Sequence, residues 1–87
     1  MTYYVYLILS KVKNKSISYV GYTNNLKRRI QEHNTNKGAK ATKGYRWELV
    51  YKKRFFNKSK ALSYEYLLKK DRLKRLRLIN VFNKKKY

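Results

Sequence analysis

Tyr3 to Leu9 (YYVYLIL) is aromatic or aliphatic at every position, with no polar residue to mark a solvent face. An apolar run without alternation predicts a strand covered on both sides, hence the central strand of a sheet. Lys11 to Ser16 (KVKNKS) breaks the run with polar and basic residues, and Ile17 to Tyr22 returns to β-branched and aromatic ones. The two segments read as an antiparallel hairpin. Asn24 and Asn25 are both good N-caps, and a first helix through His33 follows, with Leu26 and Ile30 as its inward stripe. Asn34 to Arg46 is small, polar and basic, punctuated by Gly38 and Gly44, and predicts a loop with room for one helical turn. Trp47 to Phe56 predicts a third strand with a charged end. Asn57 then caps one long helix from Lys58 to about Leu78, in which Ala61, Leu62, Leu68, Leu73 and Leu76 recur at helical spacing. The expected fold is α/β in the α+β sense: a small antiparallel three-stranded sheet flanked by helices. It forms a single domain over residues 1–87, with a basic C-terminal end from about residue 79 whose last residues, N-K-K-K-Y, are expected to fray.

Charge narrows the partner. Twenty-four Lys and Arg against four Asp and Glu give a formal charge of +20, which suits a polyanion. With 43% hydrophobic and 16% aromatic residues the chain is not a disordered basic tail. The absence of Cys excludes disulfides, thiolate zinc sites and cysteine nucleophiles, and favours a cytoplasmic setting, or a nuclear one in a nucleated cell. A single His excludes multi-histidine metal cages, so a metal would rest on carboxylates and water. The early apolar run has neither the flanks of a signal peptide nor the length of a membrane span. Gly38 to Gly44 lacks the Gly-Lys-Ser/Thr ending of a phosphate-binding P-loop.

The four acids are the candidates for chemistry in so basic a chain. Glu32, on the outer face of the first helix, pairs with Arg28 at i,i+4; Asp71, among Lys69, Lys70, Arg72 and Lys74, relieves local charge; Glu48 forms a surface pair with Arg46. Glu65 differs, because at 100° per residue it falls between Ala61, Leu62 and Leu68 on the apolar face of its helix. A carboxylate there costs several kcal/mol unless it is paired or binds a metal, and Lys69 at i,i+4 is the simpler of those partners. Arg29 and His33 share one flank of the first helix, where a phosphate contact and a hydrogen-bonded core histidine are the ordinary explanations. If Ile8 faces Tyr19 across the hairpin, Tyr6 and Tyr19 project from the same side, either as a site or as plain strand packing; a one-residue slip would separate them.

The order of these residues resembles the GIY-YIG nuclease domain. The resemblance rests on Tyr4-Val5-Tyr6, on Tyr19-Val20-Gly21-Tyr22-Thr23 leading into Leu26-Lys27-Arg28-Arg29 and His33, on Lys37-Gly38-Ala39-Lys40 with Thr42, and on Ala61, Glu65 and Lys69. It covers roughly residues 3–70 and is greatest to the short stand-alone bacterial members related to catalytic subunits of branched-DNA endonucleases. It implies Tyr6 as general base, Tyr19 as holder of the water or the scissile phosphate, Arg29 as stabiliser of transition-state charge, and His33 as a proton-transfer or orienting group. Glu65 would be the single carboxylate ligand of one Mg²⁺ or Mn²⁺ ion. Gly21 would let backbone approach the site closely. Beside Arg29, lysines and a metal, the Tyr6 pKa is expected to fall from its ordinary ~10. Lys37, Lys40 and Lys43, with Lys52, Lys53 and Arg54, are expected to hold the DNA backbone. Nothing resembles a base-reading helix, so branched or flapped DNA is the expected substrate, in repair or recombination, with a protein partner or homodimer supplying further surface. Two departures stand out: Tyr4 occupies the Gly of the namesake motif, and K-K-D-R-L-K-R-L replaces the Lys-Gly-Trp pattern, leaving Asn80 or Asn83 for the family's late Asn. The alternative is a basic nucleic-acid-binding protein without catalysis.

Overall fold

The computed structural model describes residues 1–86. Strand β1 (Tyr3–Val12) turns into β2 (Lys15–Thr23), and β3 (Glu48–Phe55) pairs with β1 from its other side. All pairing is antiparallel, in the order β2-β1-β3, so the unalternating run is indeed the central strand. Helix α1 (Leu26–Asn34) follows the hairpin, one 3₁₀ turn (Lys40–Thr42) interrupts the long loop, and α2 (Lys58–Lys70) and α3 (Arg72–Lys86) follow β3.

The two faces of β1 belong to two different clusters. Val5 and Leu7 pack with Val20 of β2 and with Ala61 and Leu68 of α2. Tyr6 and Ile8 pack with Trp47 and, at the margin, with Leu26 and Ile30 of α1. Full burial of an aliphatic side chain such as Leu7 or Ile8 contributes roughly 1.5–3 kcal/mol, and β1 therefore ties both layers together. Ile8 lies opposite Tyr19 and Tyr6 opposite Gly21, so the hairpin takes the register that puts both tyrosines on one face.

Helix α1 begins where Asn25 accepts a hydrogen bond from the Arg28 N–H (3.1 Å), and α2 begins where Asn57 accepts one from that of Lys60 (3.1 Å). The expected single long helix is two helices. At Asp71 the backbone leaves helical geometry (φ −93°, ψ 82°), and its carboxylate accepts from the Lys74 N–H (3.0 Å) to start α3. Asp71 is thus an N-cap and not simply charge relief, and Arg75 turns back to donate to the Leu68 carbonyl (2.7 Å) and to that of Lys69. The change of direction carries Leu73 and Leu76, expected to face inward, to 67% and 43% exposure. Leu78 and Ile79 pack against the core instead. Among the described residues no helix is long and apolar enough to cross a membrane.

Candidate active site

Tyr6 reaches sideways from β1 across the neighbouring strand. Its hydroxyl lies over Gly21, where a Cβ would come within 2.3 Å of the phenol oxygen. Gly21 is therefore needed for room, since any side chain would occupy the path of the tyrosine. Beyond it the hydroxyl meets His33 Nε2 at 2.7 Å. His33 is wholly buried at the end of α1, and its other ring nitrogen, Nδ1, lies 2.9 Å from Thr42 Oγ1. The tilted ring of Tyr19 sits 5.2 Å from the imidazole and 6.5 Å from Trp47, centroid to centroid. Tyr6, Tyr19 and His33 thus form one cluster on the α1 face of the sheet.

Arg29 joins them one turn earlier on α1, near enough to the Tyr6 hydroxyl for its charge to act on the phenol. It is held from behind by Glu32, whose Oε1 accepts from Arg29 Nη1 at 3.1 Å, whereas Arg28 Nε is 4.0 Å from the same carboxylate. The nearer partner of Glu32 is therefore the site arginine and not the expected Arg28. Burial dominates the tyrosine's proton affinity and pushes the Tyr6 pKa up to about 12, although the hydrogen bond and charge of Arg29 pull it down. The expected fall is reversed among the protein's own groups, because desolving a phenolate outweighs one partly exposed cation. Tyr19 and Glu65 add small upward pushes. Burial also holds the His33 pKa below its ordinary 6.5, with the Arg29 charge acting in the same direction and Glu32 against it. The imidazole is neutral at pH 7.

Glu65 arrives from α2, its side chain 17% exposed and its Oε2 3.4 Å from Lys69 Nζ. No group of three or more His, Asp or Glu side chains occurs among the described residues, so no all-protein metal cage is present. One half-buried carboxylate fits a hard ion that keeps most of its own waters, such as Mg²⁺, and does not fit zinc.

The predicted backbone-holding cations divide into three places. Lys37, Lys40 and Lys43 are exposed on the segment that wraps the imidazole. Lys52 lies opposite Tyr6 and lines a groove with Tyr4, Leu26 and Ile30 on the site face. Arg54 lies opposite Tyr4, over the Phe56 ring (5.2 Å). Lys53 lies opposite Val5 and so points to the other face, 5.0 Å from the Tyr64 ring centroid.

Several residues to which the sequence reading gave no part in the site support it. Gly38 leaves space beside the imidazole, since a Cβ there would stand 2.5 Å from His33 Nδ1. Trp47 Nε1 donates to the Thr42 carbonyl (3.0 Å). Asn34 clamps Trp47 through both backbone groups, accepting from its N–H (2.6 Å) and donating to its carbonyl (3.1 Å). The available signal was chemical: a buried imidazole has two ring nitrogens to satisfy, and Thr35 and Thr42 are the threonine hydroxyls in the loop that follows His33.

Together these features define a class of protein: a small α+β domain with paired tyrosines on a hairpin, an arginine and a histidine on the following helix, and a lone glutamate on the next. Residues 2–86 match the GIY-YIG catalytic domain, and the chain belongs to this family of nuclease domains. UPF0213 protein OB0043 of Oceanobacillus iheyensis is 46% identical over 79 residues, covering 88% of each chain. UPF0213 protein CPE1444 of Clostridium perfringens is 47% identical over 79 residues, covering 88% of this chain and 82% of its own. The solution NMR structure of UPF0213 protein BH0048 from Bacillus halodurans is 38% identical, with a TM-score of 0.49, covering 93% of this chain and 85% of that one.

Proposed function

We propose that this chain is a divalent-metal-dependent endonuclease that hydrolyses DNA phosphodiester bonds, selecting branched or flapped structures in repair or recombination. The observation that carries the reading is the 2.7 Å contact between the Tyr6 hydroxyl and a neutral, buried imidazole. A phenol with a pKa of about 12 is a poor base by itself. With His33 behind it, the phenolic proton passes to Nε2 as the phenol oxygen takes a proton from the attacking water, and no isolated phenolate has to form. Arg29 faces the same oxygen and offsets charge building on the phosphoryl group. Tyr19, at the rim of the cluster, holds the water or the scissile phosphate. Glu65 would hold the Mg²⁺ or Mn²⁺ ion, which when bound supplies Lewis-acid stabilisation of the leaving oxygen. Lys37, Lys40, Lys43 and Lys52 hold the backbone by phosphate contacts, and with nothing in the chain resembling a base-reading helix, shape is the source of selectivity.

The test uses purified protein with labelled branched, flapped and linear DNA in Mg²⁺, Mn²⁺ or EDTA, beside Tyr6→Phe, Arg29→Ala and Glu65→Gln. Cutting should require the metal and fall by about 100-fold or more in each variant, with Glu65→Gln keeping its DNA affinity. Lys69→Met, which frees the carboxylate, should lower the Mg²⁺ concentration required. Cutting that survives EDTA or Glu65→Gln would overturn the metal-dependent mechanism, and no cutting on any substrate would overturn the enzyme and leave a binding protein.

A further inference from the structure

We propose that Thr42 is a positioning residue for the reaction: its hydroxyl sets which nitrogen of His33 carries the proton, and thereby keeps Nε2 free to receive the proton of Tyr6. The inference rests on the nuclease reading for its purpose, but its geometry stands apart from it.

A neutral imidazole protonates one ring nitrogen and leaves the other as acceptor, and its partners decide which. Contacts with both nitrogens of His33 are present: the Tyr6 hydroxyl at Nε2 (2.7 Å) and the Thr42 hydroxyl at Nδ1 (2.9 Å). Either hydroxyl could donate or accept, so two opposite chains of hydrogen bonds are conceivable. A third contact selects one of them. Thr42 Oγ1 lies 2.8 Å from the Ala39 carbonyl oxygen, which can only accept. The single hydroxyl proton of Thr42 is therefore committed to Ala39, and toward His33 the threonine can only accept. Nδ1 must carry the hydrogen, Nε2 must be bare, and the Tyr6 O–H must donate to it. In the opposite arrangement two oxygen lone pairs would face each other at 2.8 Å across the Thr42–Ala39 contact.

The surrounding chain is built to hold that arrangement. Thr42 is fully buried, so water does not compete for its hydroxyl. Its carbonyl is fixed by Trp47 Nε1, and Trp47 is clamped by Asn34, the residue after His33. Gly38 lets this segment approach the ring, where even a methyl group would collide with Nδ1. When the Tyr6 proton reaches Nε2, the resulting imidazolium still has an acceptor for its Nδ1–H, so no hydrogen bond has to rearrange during the step. Outer-shell partners of this kind are worth about 10- to 100-fold when removed from histidines that ligate metals, and a similar loss is expected here.

The experiment records long-range ¹H–¹⁵N spectra of the single histidine together with cleavage kinetics in the wild type, Thr42→Val and Thr42→Ser. Wild type should show a protonated Nδ1 and a bare Nε2. Thr42→Val, which keeps the shape and removes the hydroxyl, should lose the single tautomer and about 10-fold or more in kcat, with KM nearly unchanged, and Thr42→Ser should restore both. Should valine crowd the site, Thr42→Ala removes the same group without bulk. A protonated Nε2 in wild type, or a hydroxyl-free variant that keeps either its tautomer or its rate, would overturn the proposal. If wild type cuts no DNA the nuclease reading fails, while the ring-nitrogen shifts still decide which way Thr42 points the proton.

Discussion

His33 is the residue at which the physics of the fold and the chemistry of the site meet. Tyr6 and Tyr19 from the sheet, Thr42 from the loop, and Arg29 and Glu32 from its own helix all face it. Because burial lowers its pKa, the folded chain binds that proton less readily than the unfolded chain. Its contribution to stability is therefore intact above the ordinary value near 6.5 and is lost as pH falls below that toward the lowered one. Urea unfolding at pH 7.5 and pH 5.5 should show wild type losing stability across that window and His33→Gln losing less; equal losses would mean that the imidazole is not buried neutral. Tyr6, Tyr19, Arg29, His33 and Glu65 were singled out together by the family resemblance; spacing alone left each with an ordinary structural explanation, and the hairpin register is what brings Tyr6 and Tyr19 to the His33 face. The direction of the Tyr6 pKa was not legible, since it depends on how deeply the phenol is covered. The contacts that Thr42, Gly38 and Trp47 make around His33 were equally hidden, because the path of an irregular loop leaves no periodicity to read.

Among the elements, the hairpin register and the caps at Asn25 and Asn57 followed from local chemistry. The break at Asp71 did not, although aspartate is a good N-cap, because leucines at helical spacing on both sides suggested continuity. What ends α2 is tertiary: Leu68 completes the packed face, and Arg75 folds back to take the last carbonyls. A sharp test follows from the sign of one substitution. Asp71→Ala should destabilise the protein by about 1 kcal/mol, the cost of a lost N-cap. That corresponds to roughly 4–8 °C in Tm for a domain of this size. Were the helix continuous there, alanine would stabilise it instead. The expected i,i+4 pair of Glu32 with Arg28 is present at 4.0 Å, and the i,i+3 partner Arg29 adds a nearer one at 3.1 Å.

Across the whole molecule, a charge of +20 on so short a chain makes nucleic-acid affinity depend steeply on salt. With about four phosphates neutralised, log K should fall against log salt with a slope of roughly −3.6. Register decides which cations count. Lys52→Ala, on the Tyr6 face, should flatten that slope by nearly one unit, whereas Lys53→Ala should leave it almost unchanged and weaken only the contact with Tyr64. Fluorescence titrations from low to moderate salt distinguish the two, and equal effects would mean that DNA wraps both faces. The sequence gathered Lys52, Lys53 and Arg54 into one group, and only the alternation of β3 separates them.

That same alternation, in the central strand, has a consequence for engineering. Odd-numbered Val5 and Leu7 serve the layer under α2, while even-numbered Tyr6 and Ile8 serve the layer under α1, where the tyrosine meets His33. A combinatorial library that varies Tyr6 and its neighbours on that face, leaving the odd positions fixed, would keep the α2 layer's own packing residues while testing how much buried packing the α1 layer can exchange.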